Sequence, residues 1–388
     1  MSPIVHRYPD ISKIPAAAWN QLVVDNNPFL RHEFLSALER HNCVGNQFGW
    51  QPCHLALYEG GAEKESKGRL LAAMPLYIKA NSYGEFVFDH AWADAYARYG
   101  KPYFPKLVTA VPYTPSTGQR FVCPVDKVGE FAPLLLQAAQ QQALSIEASG
   151  LHILFPDPHN RQWLQQQPLI ERNDCQFHWF NHDYHSFEQF LEHLSSRKRK
   201  KIRRERERVA AAGVTLRRIS GDEATAEEWA AFYRFYCLTF EKKWGIATLS
   251  LGFFLEIGEK MGDQILLVLA ERSGETIAGA LMFISDSTLF GRHWGTNSEV
   301  HSLHFEACYY QGIEFAIERG LSCFEPGAQG EHKVSRGFIP TRTYSYHWLS
   351  QPWFKEAIAH YCVQEREAID DYITELNQQL PYRRTPSS

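Results

Sequence analysis

The chain repeats one order of secondary-structure signals, and this repeat limits the folds open to it more than any other feature. Two apolar runs, 54–59 and 69–77, lie on either side of a Gly-containing segment, and two more, 265–271 and 276–283, lie on either side of Ser273-Gly274. Short apolar runs on both sides of a glycine turn are typical of β-hairpins. We therefore predict a β-hairpin in each half of the chain.

A second repeated signal follows each predicted hairpin. Residues 134–147 and 307–318 have helical patterns, and each leads through a glycine, Gly150 or Gly320, into a short apolar run that ends at proline. Glycine commonly ends a helix because it adopts left-handed backbone angles without strain. The same order of hairpin, helix and strand in both halves predicts two α/β units of similar plan.

The length of 388 residues agrees with two units, since a single domain rarely grows so large. We predict a first unit at 1–180 and a second at 186–388, joined by the short polar segment 181–186. Helical spacing of apolar residues over 352–380 predicts a last helix, which Pro381 stops. The predicted fold class is α/β with mixed sheets.

Composition excludes several classes of protein. The formal net charge of −4 and the pI near 6.5 argue against a generally basic nucleic-acid binder. The eight cysteines form no Cys-x-x-Cys pair, and His293, His301 and His304 lack a carboxylate at metal-ligand spacing, so we expect no metal. We also expect no tightly bound cofactor. The chain shows neither a signal-peptide pattern nor an apolar run of ~18–20 residues, so we expect a cytoplasmic protein without a transmembrane segment.

The segment 325–337 combines glycine with an unusual density of ionisable groups. It follows a predicted helix and an apolar run, and α/β folds bring such strand ends to a ligand crevice. Three glycines give its backbone freedom. Its polar side chains are Glu325, Gln329, Glu331, His332, Lys333 and Arg336. We predict that this segment is a functional loop.

Basic charge is concentrated in one helical segment. Residues 195–208 contain nine Lys or Arg and two Glu, a net charge of +7, with Ile202 and Val209 on the side predicted to be buried. Pairing of Lys201 with Glu205, four residues on, and of Arg203 with Glu207 neutralises part of this charge. The rest is explained equally well by a solvated charged helix and by a surface that binds phosphates, whether of CoA, a nucleotide-linked precursor, tRNA or the lipid headgroups of an inner membrane face. The residues assigned to anion binding are Arg197, Arg199, Lys200, Arg203 and Arg204.

A long aromatic and Pro-rich region, 88–120, shows little regular periodicity. Long ordered loops often bind ligands, and Asp89, Trp92, Tyr96 and Arg120 are predicted to form a cleft wall for an extended acceptor. Packing of the aromatic rings between the two units explains the region at least as well.

Four segments of the chain resemble known motifs. Residues 27–39 resemble the opening helix of Fem-like chains, and 196–205 before 212–214 resembles their basic helix leading into a Gly-Val strand. Residues 302–310 and 325–333 look like signature motifs of a FemAB-like bacterial family, and this resemblance covers nearly the whole chain.

The resemblance implies two GNAT-like units in tandem and a transfer reaction. Fem enzymes are aminoacyltransferases that build peptidoglycan cross-bridges, so we expect an acyl- or aminoacyltransferase that acts on an amine acceptor such as a small molecule or an envelope precursor. The donor is expected to be acyl-CoA or aminoacyl-tRNA. The (Arg/Gln)-x-x-Gly-x-(Gly/Ala) loop of acetyl-CoA enzymes is missing from the sequence, which places acetyl-CoA in doubt. The alternative is a catalytically silent GNAT-fold protein that binds an anionic envelope precursor, lipid or RNA.

Acyl transfer assigns roles to residues of the second unit. The attacking amine must lose a proton and the tetrahedral oxyanion needs donors. We assign Glu325 as base, His332 as proton shuttle and Lys333 as oxyanion or anion binder. The neighbouring residues predicted to contact substrate are Trp294, Glu306, Tyr309, Gln329 and Arg336. The competing interpretation is that Glu325 caps a turn, that Glu306 complements a helix dipole, and that His332 and Lys333 are solvated or paired with Glu331.

Overall fold

The computed structural model describes residues 2–60, 68–242 and 245–383. The strands are β1 (Ile4–Tyr8), β2 (Trp50–Pro52), β3 (His54–Tyr58), β4 (Leu70–Met74), β5 (Tyr77–Lys79), β6 (Lys106–Thr109), β7 (Gly150–Leu154), β8 (Ile170–Phe180), β9 (Val214–Ser220), β10 (Ile265–Arg272), β11 (Glu275–Ile284), β12 (Thr288–Thr296), β13 (Cys323–Glu325) and β14 (Ile339–Leu349). The helices are α1 (Ala16–Asn20), α2 (His32–Arg40), α3 (His90–Arg98), α4 (Val128–Ser145), α5 (Pro158–Leu164), α6 (Phe187–His193), α7 (Ser196–Ala211), α8 (Ala226–Lys242), α9 (Leu251–Lys260), α10 (Leu303–Phe305), α11 (Gln311–Glu318) and α12 (Pro352–Gln378). Among the helices described, none combines the length and the apolar character that crossing a membrane requires.

The chain forms two compact units. Unit 1 comprises Met1–Asp174 and Arg342–Asp370, and unit 2 comprises Cys175–Thr341 and Asp371–Ser388. The predicted division at 1–180 and 186–388 therefore differs from the observed one in the second half of the chain. Most of β14 and the first part of α12 group with unit 1, because β14 pairs with β7.

Unit 1 contains a three-stranded sheet in the order β1-β3-β4 and a second set of strands in the order β2-β5-β6-β7-β14. The antiparallel pair β3–β4 is the first predicted hairpin, and residues 61–67 of its connection lie outside the described part of the chain. Leu107, Leu151 and Ile153 of the second set lie in a core that includes apolar residues of α4. This core is built from the helix and strand that the sequence predicts around residues 134–154.

Unit 2 has strands in the order β13-β12-β11-β10-β9, with the end of β8 next to β13. The predicted hairpin β10–β11 is confirmed, and Ser273 and Gly274 both have positive φ, as a tight two-residue hairpin turn requires. Helix α8 lies directly on β12. A Cβ added to Gly295 would lie 2.0 Å from the carbonyl oxygen of Phe235, so only glycine allows this approach.

Three local predictions have different outcomes. The helix over 352–380 is confirmed by α12, and Gly320, with φ 65°, lies just after α11 as predicted. The assignment of Gly150 as a helix end is wrong, because α4 ends at Ser145 and Glu147 takes the left-handed conformation while Gly150 begins β7. The region 88–120 is more regular than predicted, since it contains α3 and β6.

Candidate functional site

The pairing of two parallel strands in unit 2 ends beside the predicted functional loop. β12 pairs with β13 over three residues, from Thr288 opposite Cys323 to Phe290 opposite Glu325. Beyond Glu325 the chain turns away at Pro326, while β12 continues to Thr296 in contact with β11. The carboxyl ends of separating parallel strands are the usual place for a ligand in an α/β sheet. We refer to this place as the β12–β13 crevice.

Arg292 is an extra residue in β12 at the mouth of the β12–β13 crevice. Leu281 pairs with His293 and Met282 pairs with Gly291, so the strand register skips Arg292, as in a β-bulge. Bulges redirect side chains and are frequent beside active sites. Burial lowers the pKa of Arg292 to about 10, and the negative charge of nearby Glu325 opposes that shift. The structure thus brings an arginine, which our sequence reasoning missed, close to the predicted base Glu325.

Lys333 is the most unusual charged group of the β12–β13 crevice. Its side chain is 2% exposed, and its Nζ donates a hydrogen bond of 2.6 Å to the carbonyl oxygen of Gly327. Within the described chain, no carboxylate pairs with it. Burial therefore lowers the pKa of Lys333 to about 7, and the neighbouring Cys308 thiol offsets only part of this effect. At neutral pH the amine is present in both its charged and its neutral form.

His332 lies beside Lys333 at the surface of the same short helical turn, Glu331–Arg336. Its Nε2 lies 2.9 Å from the hydroxyl oxygen of Tyr309. Partial burial and then the positive charges of Arg336 and Lys333 lower the pKa of the imidazole, which favours the neutral form. A neutral imidazole bonded to a phenol can accept or pass on a proton.

Tyr309 is held in place by a π-helical turn, Glu306–Tyr310, between α10 and α11. Such turns insert one residue into a helix and often occur at functional sites. The His304 ring lies 5.5 Å from Trp294 and 5.2 Å from Tyr309, measured between ring centroids. The structure therefore brings together Trp294, Tyr309 and His332, which the sequence predicted as neighbours.

Two other predicted substrate contacts, Arg336 and Glu306, form ion pairs inside unit 2. Arg336 is 2% exposed, and its guanidinium donates to both carboxylate oxygens of Glu205 at 2.9 and 3.0 Å and to the hydroxyl of Tyr310 at 3.0 Å. The carboxylate of Glu306 accepts from Arg206 Nε at 3.1 Å. Both ion pairs attach α7 to the core of unit 2. The remaining predicted contact, Gln329, is exposed.

The predicted buried side of helix α7 is confirmed, since Ile202 and Val209 are each 1% exposed. Lys201 pairs with Glu205 at 3.8 Å as predicted, but Arg203 pairs with Glu188 rather than with Glu207. The predicted anion-binding residues without a protein partner in the described chain are Arg197, Arg199, Lys200 and Arg204. Of these, Arg197, Lys200 and Arg204 are exposed, so they form a cationic surface that we name the α7 basic face.

The residues predicted to form a cleft wall in the first half of the chain are buried in unit 1. Asp89, Trp92 and Tyr96 are 1%, 2% and 1% exposed, and Tyr96 stacks on Phe354 at 3.8 Å between ring centroids. Arg120 is also buried and donates to main-chain carbonyls. The prediction of an open cleft wall is wrong, because the start of α3 places Asp89, Trp92 and Tyr96 in the interior of the unit and main-chain carbonyls hold Arg120 there.

The fold is similar to that of two solved structures. The crystal structure of FemX has a TM-score of 0.54 to this chain at 12% sequence identity, and the match covers 92% of this chain and 100% of FemX. The C-terminal domain of a protein assigned as a lysylphosphatidylglycerol synthetase from Agrobacterium fabrum has a TM-score of 0.51 at 8% identity, over 91% of this chain and 96% of that domain. The predicted fold class, α/β with mixed sheets, is confirmed, and the fold is similar to that of FemX over nearly the whole chain.

The family is shown by the sequence itself. The model of the FemAB-like family, described as peptidoglycan biosynthesis/recognition, matches residues 10–384, and the chain belongs to this family. The resemblance drawn from the four motifs is confirmed. No protein of curated function matches the sequence.

Proposed function

We propose that the protein transfers an acyl or aminoacyl group to an amine acceptor in the β12–β13 crevice. The observation that carries this proposal is Lys333, a buried amine with a pKa of about 7. Membership of a peptidoglycan biosynthesis/recognition family and the FemX fold support a transferase linked to the cell envelope. The donor is an acyl-CoA or an aminoacyl-tRNA, and the acceptor is an amine-bearing envelope precursor.

The reaction forms a C–N bond and breaks the bond between the acyl carbon and the leaving oxygen or sulfur. An amine arrives mostly as an ammonium ion and must lose a proton before its lone pair can attack. Neutral Lys333 accepts that proton, and its protonated form then faces the negative charge that develops on the acyl oxygen. The nitrogen of the tetrahedral intermediate carries a second proton, which passes to the leaving oxygen or sulfur as that bond breaks, while the proton held by Lys333 leaves to solvent by way of His332 and Tyr309.

Glu325 and Arg292 have a binding role in this scheme. Glu325 is 9% exposed at the end of β13, so its carboxylate can hold the acceptor ammonium before the proton leaves. The carboxylate raises the pKa of Arg292, so the two groups interact electrostatically at this strand end. The prediction that Glu325 itself is the base is thereby replaced by the proposal that Glu325 binds and Lys333 takes the proton.

The pH dependence of transfer tests the role of Lys333. The active form is the neutral amine, so the rate at saturating substrate should rise about tenfold per pH unit below the pKa of about 7 and level off above it. The assay is transfer of radiolabel from aminoacyl-tRNA or acetyl-CoA to a peptidoglycan precursor between pH 5.5 and 9. A rate that is constant over this range contradicts the assignment of Lys333 as base.

The α7 basic face supports an anionic partner, which both possible donors provide through their phosphates. It is also the observation that favours the alternative function, binding of an anionic envelope precursor, lipid or RNA without turnover. Ligand binding without transfer from any donor would establish that alternative. We propose that the α7 basic face binds the phosphates of the donor.

Removing the positive charge of the α7 basic face should weaken tRNA binding and make it less dependent on salt. A plot of the logarithm of tRNA affinity against the logarithm of salt concentration has a negative slope, to which each phosphate contact contributes close to one unit. For the variant Arg197→Gln/Lys200→Gln/Arg204→Gln, we expect this slope to become shallower by about 2–3 units. The matched control, Arg234→Gln/Lys260→Gln/Arg319→Gln, removes three exposed charges of unit 2 outside α7 and should leave the slope unchanged. Equal slopes for both variants would contradict the proposal. Loss of binding to phosphatidylglycerol vesicles but not to tRNA would identify a membrane partner instead.

A further inference from the structure

A groove lies between strand β1 and helix α4 in unit 1, and we name it the β1–α4 groove. Its volume is about 550 Å³, which is within the range of ligand sites. On the strand side it is lined by Pro3, Val5 and Arg7, which alternate along the chain and therefore share one face of the sheet. On the helix side it is lined by residues of α4 between 134 and 145. None of these residues has a part in the transfer proposed for unit 2.

The strand that lines the β1–α4 groove is an edge strand. β1 pairs with β3 on one side, from Ile4 opposite Tyr58 to Tyr8 opposite His54. The described part of the chain places no strand on its other side, where the sheet order β1-β3-β4 ends, and Ile4 is 52% exposed. In an antiparallel pair, every second residue of an edge strand directs its main-chain N–H and C=O away from its partner. These groups can bond to an added strand, whose alternate side chains would point to the side of the sheet on which α4 lies.

The lining of the β1–α4 groove combines apolar surface with amide groups. Its half-buried apolar residues are Val5, Leu134 and Ala138. Its amide side chains, each able to donate and accept, are Gln137, Gln141 and Gln142. An acyl chain has no polar atoms along its length to meet these amides, whereas a peptide has a C=O at every residue and an N–H at every residue but proline. The lining therefore favours a peptide over a lipid.

One positive charge lies in the β1–α4 groove. Arg7 is exposed, and one of its guanidinium nitrogens donates to Gln142 Oε1 at 2.5 Å, which holds the guanidinium beside α4. In the described chain Arg7 forms no ion pair, and among the described residues that line the groove none is acidic. A guanidinium binds a carboxylate through two parallel hydrogen bonds. The charge of the groove is therefore complementary to an anionic group, which a peptide has at its C-terminus.

We propose that the β1–α4 groove binds the C-terminal segment of a peptide that has a free carboxylate. The segment adds to β1 as a strand, its alternate side chains pack on Val5, Leu134 and Ala138, and its carboxylate pairs with Arg7. Since Arg7 is near the end of β1, the segment runs parallel to β1, with its earlier residues towards Pro3. At roughly 3.3 Å per residue, the way from Pro3 to Arg7 is about 13 Å, which about five residues fill. The proposal does not depend on the transfer reaction proposed for unit 2.

The experiment is affinity selection with the full chain from a synthetic library of randomised L-hexapeptides that have free carboxyl termini, read by mass spectrometry. The same library with amidated termini is the comparison. We expect peptides to be enriched from the first library only. The most enriched peptide, labelled with fluorescein at its N-terminus, should bind at least tenfold more tightly than its amide in fluorescence anisotropy, as expected for a hydrogen-bonded charge pair.

Two variants test the role of Arg7. Arg7→Gln removes an exposed charge and should weaken binding of the free acid at least tenfold while leaving binding of the amide unchanged. Arg98→Gln is the matched control, because Arg98 of α3 is also exposed in unit 1, forms no ion pair in the described chain and does not line the groove. A second route to the same loss is Gln141→Glu, which keeps the shape of an exposed side chain and adds a negative charge that repels the carboxylate.

Hydrogen exchange locates the bound peptide. Exchange of the main-chain amides of residues 4–8 should slow when the peptide binds, and exchange in β9, an edge strand of unit 2, should not change. Preference for the acid that Arg7→Gln removes and Arg98→Gln retains, with protection at residues 4–8, supports the proposal. Lack of any enriched peptide, equal binding of acid and amide, equal loss in Arg7→Gln and Arg98→Gln, or protection outside β1 and α4 overturns it. Displacement of the peptide by oleate at a lower concentration than by the unlabelled peptide would show a lipid site and overturn it as well.

Discussion

Replacement of Lys333 with methionine is expected to reduce acyl transfer by a factor of about 10²–10⁴ while making the protein more stable at pH 6. The loss of rate follows from removal of the group that accepts the proton. The gain in stability follows from the burial of Lys333, whose amine is 2% exposed and has no carboxylate partner in the described chain. Few substitutions are expected to move activity and stability in opposite directions, so the pair of results identifies a functional lysine.

The sign and size of the stability change follow from the pKa. The pKa of Lys333 is about 7 in the folded protein and 10.5 ordinarily, so the unfolded state binds more protons between these values and stability rises with pH there. Below pH 7 the cost of burying the charge is complete, at most about 5 kcal/mol. Loss of the hydrogen bond to Gly327 offsets about 1 kcal/mol. We expect Lys333→Met to stabilise unit 2 by roughly 2–4 kcal/mol at pH 6 and not at all at pH 10.

Denaturant unfolding at pH 6 and pH 10, together with the transfer assay, measures both effects. Lys260→Met is the control, since Lys260 is exposed and its ion pair with Glu256 lies on the surface, where such pairs contribute little. A Lys333→Met variant that is inactive and less stable at pH 6 would show that Lys333 holds the structure rather than takes part in transfer.

The loop around Lys333 was predictable from sequence because its signals are local. Glycines, ionisable residues and a preceding apolar run are adjacent in the chain, and they correctly placed Glu325 at a strand end. The low pKa of Lys333 was not predictable. It depends on burial beside Cys308, which belongs to a separate helical turn, and burial of that kind arises from tertiary packing.

Arg292 and Glu205 show two further limits of sequence reasoning. Arg292 lies in a bulge and interacts electrostatically with Glu325, and only the preceding Gly291 in a strand pattern hinted at such a bulge. Glu205 was interpreted as a partner for Lys201 that neutralises surface charge. It does pair with Lys201, but it is also 5% exposed and bonded to Arg336, because helical spacing places it on the same side as Ile202 and Val209.

In unit 1, residues were selected from a real sequence pattern, but they were predicted to line an open cleft and are buried. Asp89, Trp92 and Tyr96 were selected because a long aromatic region often binds ligands. The region contains α3, whose spacing of Trp92 and Tyr96 by four residues places both on one buried face. That spacing was visible in the sequence, but the strands that α3 covers are distant in the chain, so the burial of this face was not.

Breaking the buried ion pair between Glu205 and Arg336 should strongly destabilise the protein. The two side chains are 6% and 3% exposed, and the Tyr310 hydroxyl also donates to the Glu205 carboxylate. Removing one partner leaves the other charge buried and uncompensated, which typically costs 3–5 kcal/mol. We therefore expect Arg336→Met and Glu205→Leu each to destabilise the protein by about 3–5 kcal/mol in denaturant unfolding. Arg218→Met is the matched control, because its ion pair with Glu318 is more exposed and should contribute less than about 1 kcal/mol.

The double variant Glu205→Leu/Arg336→Met separates a structural role of Arg336 from the substrate contact predicted for it. Apolar side chains of similar volume can replace a buried ion pair at little cost, so the double variant should recover most of the lost stability, with a coupling energy of at least about 3 kcal/mol. If Arg336 only anchors the turn that carries Lys333, restored packing should also restore transfer to within about tenfold of the native rate. A double variant that is stable but inactive would instead show that the Arg336 guanidinium contacts the substrate, because the fold would be intact and only its charge would be missing.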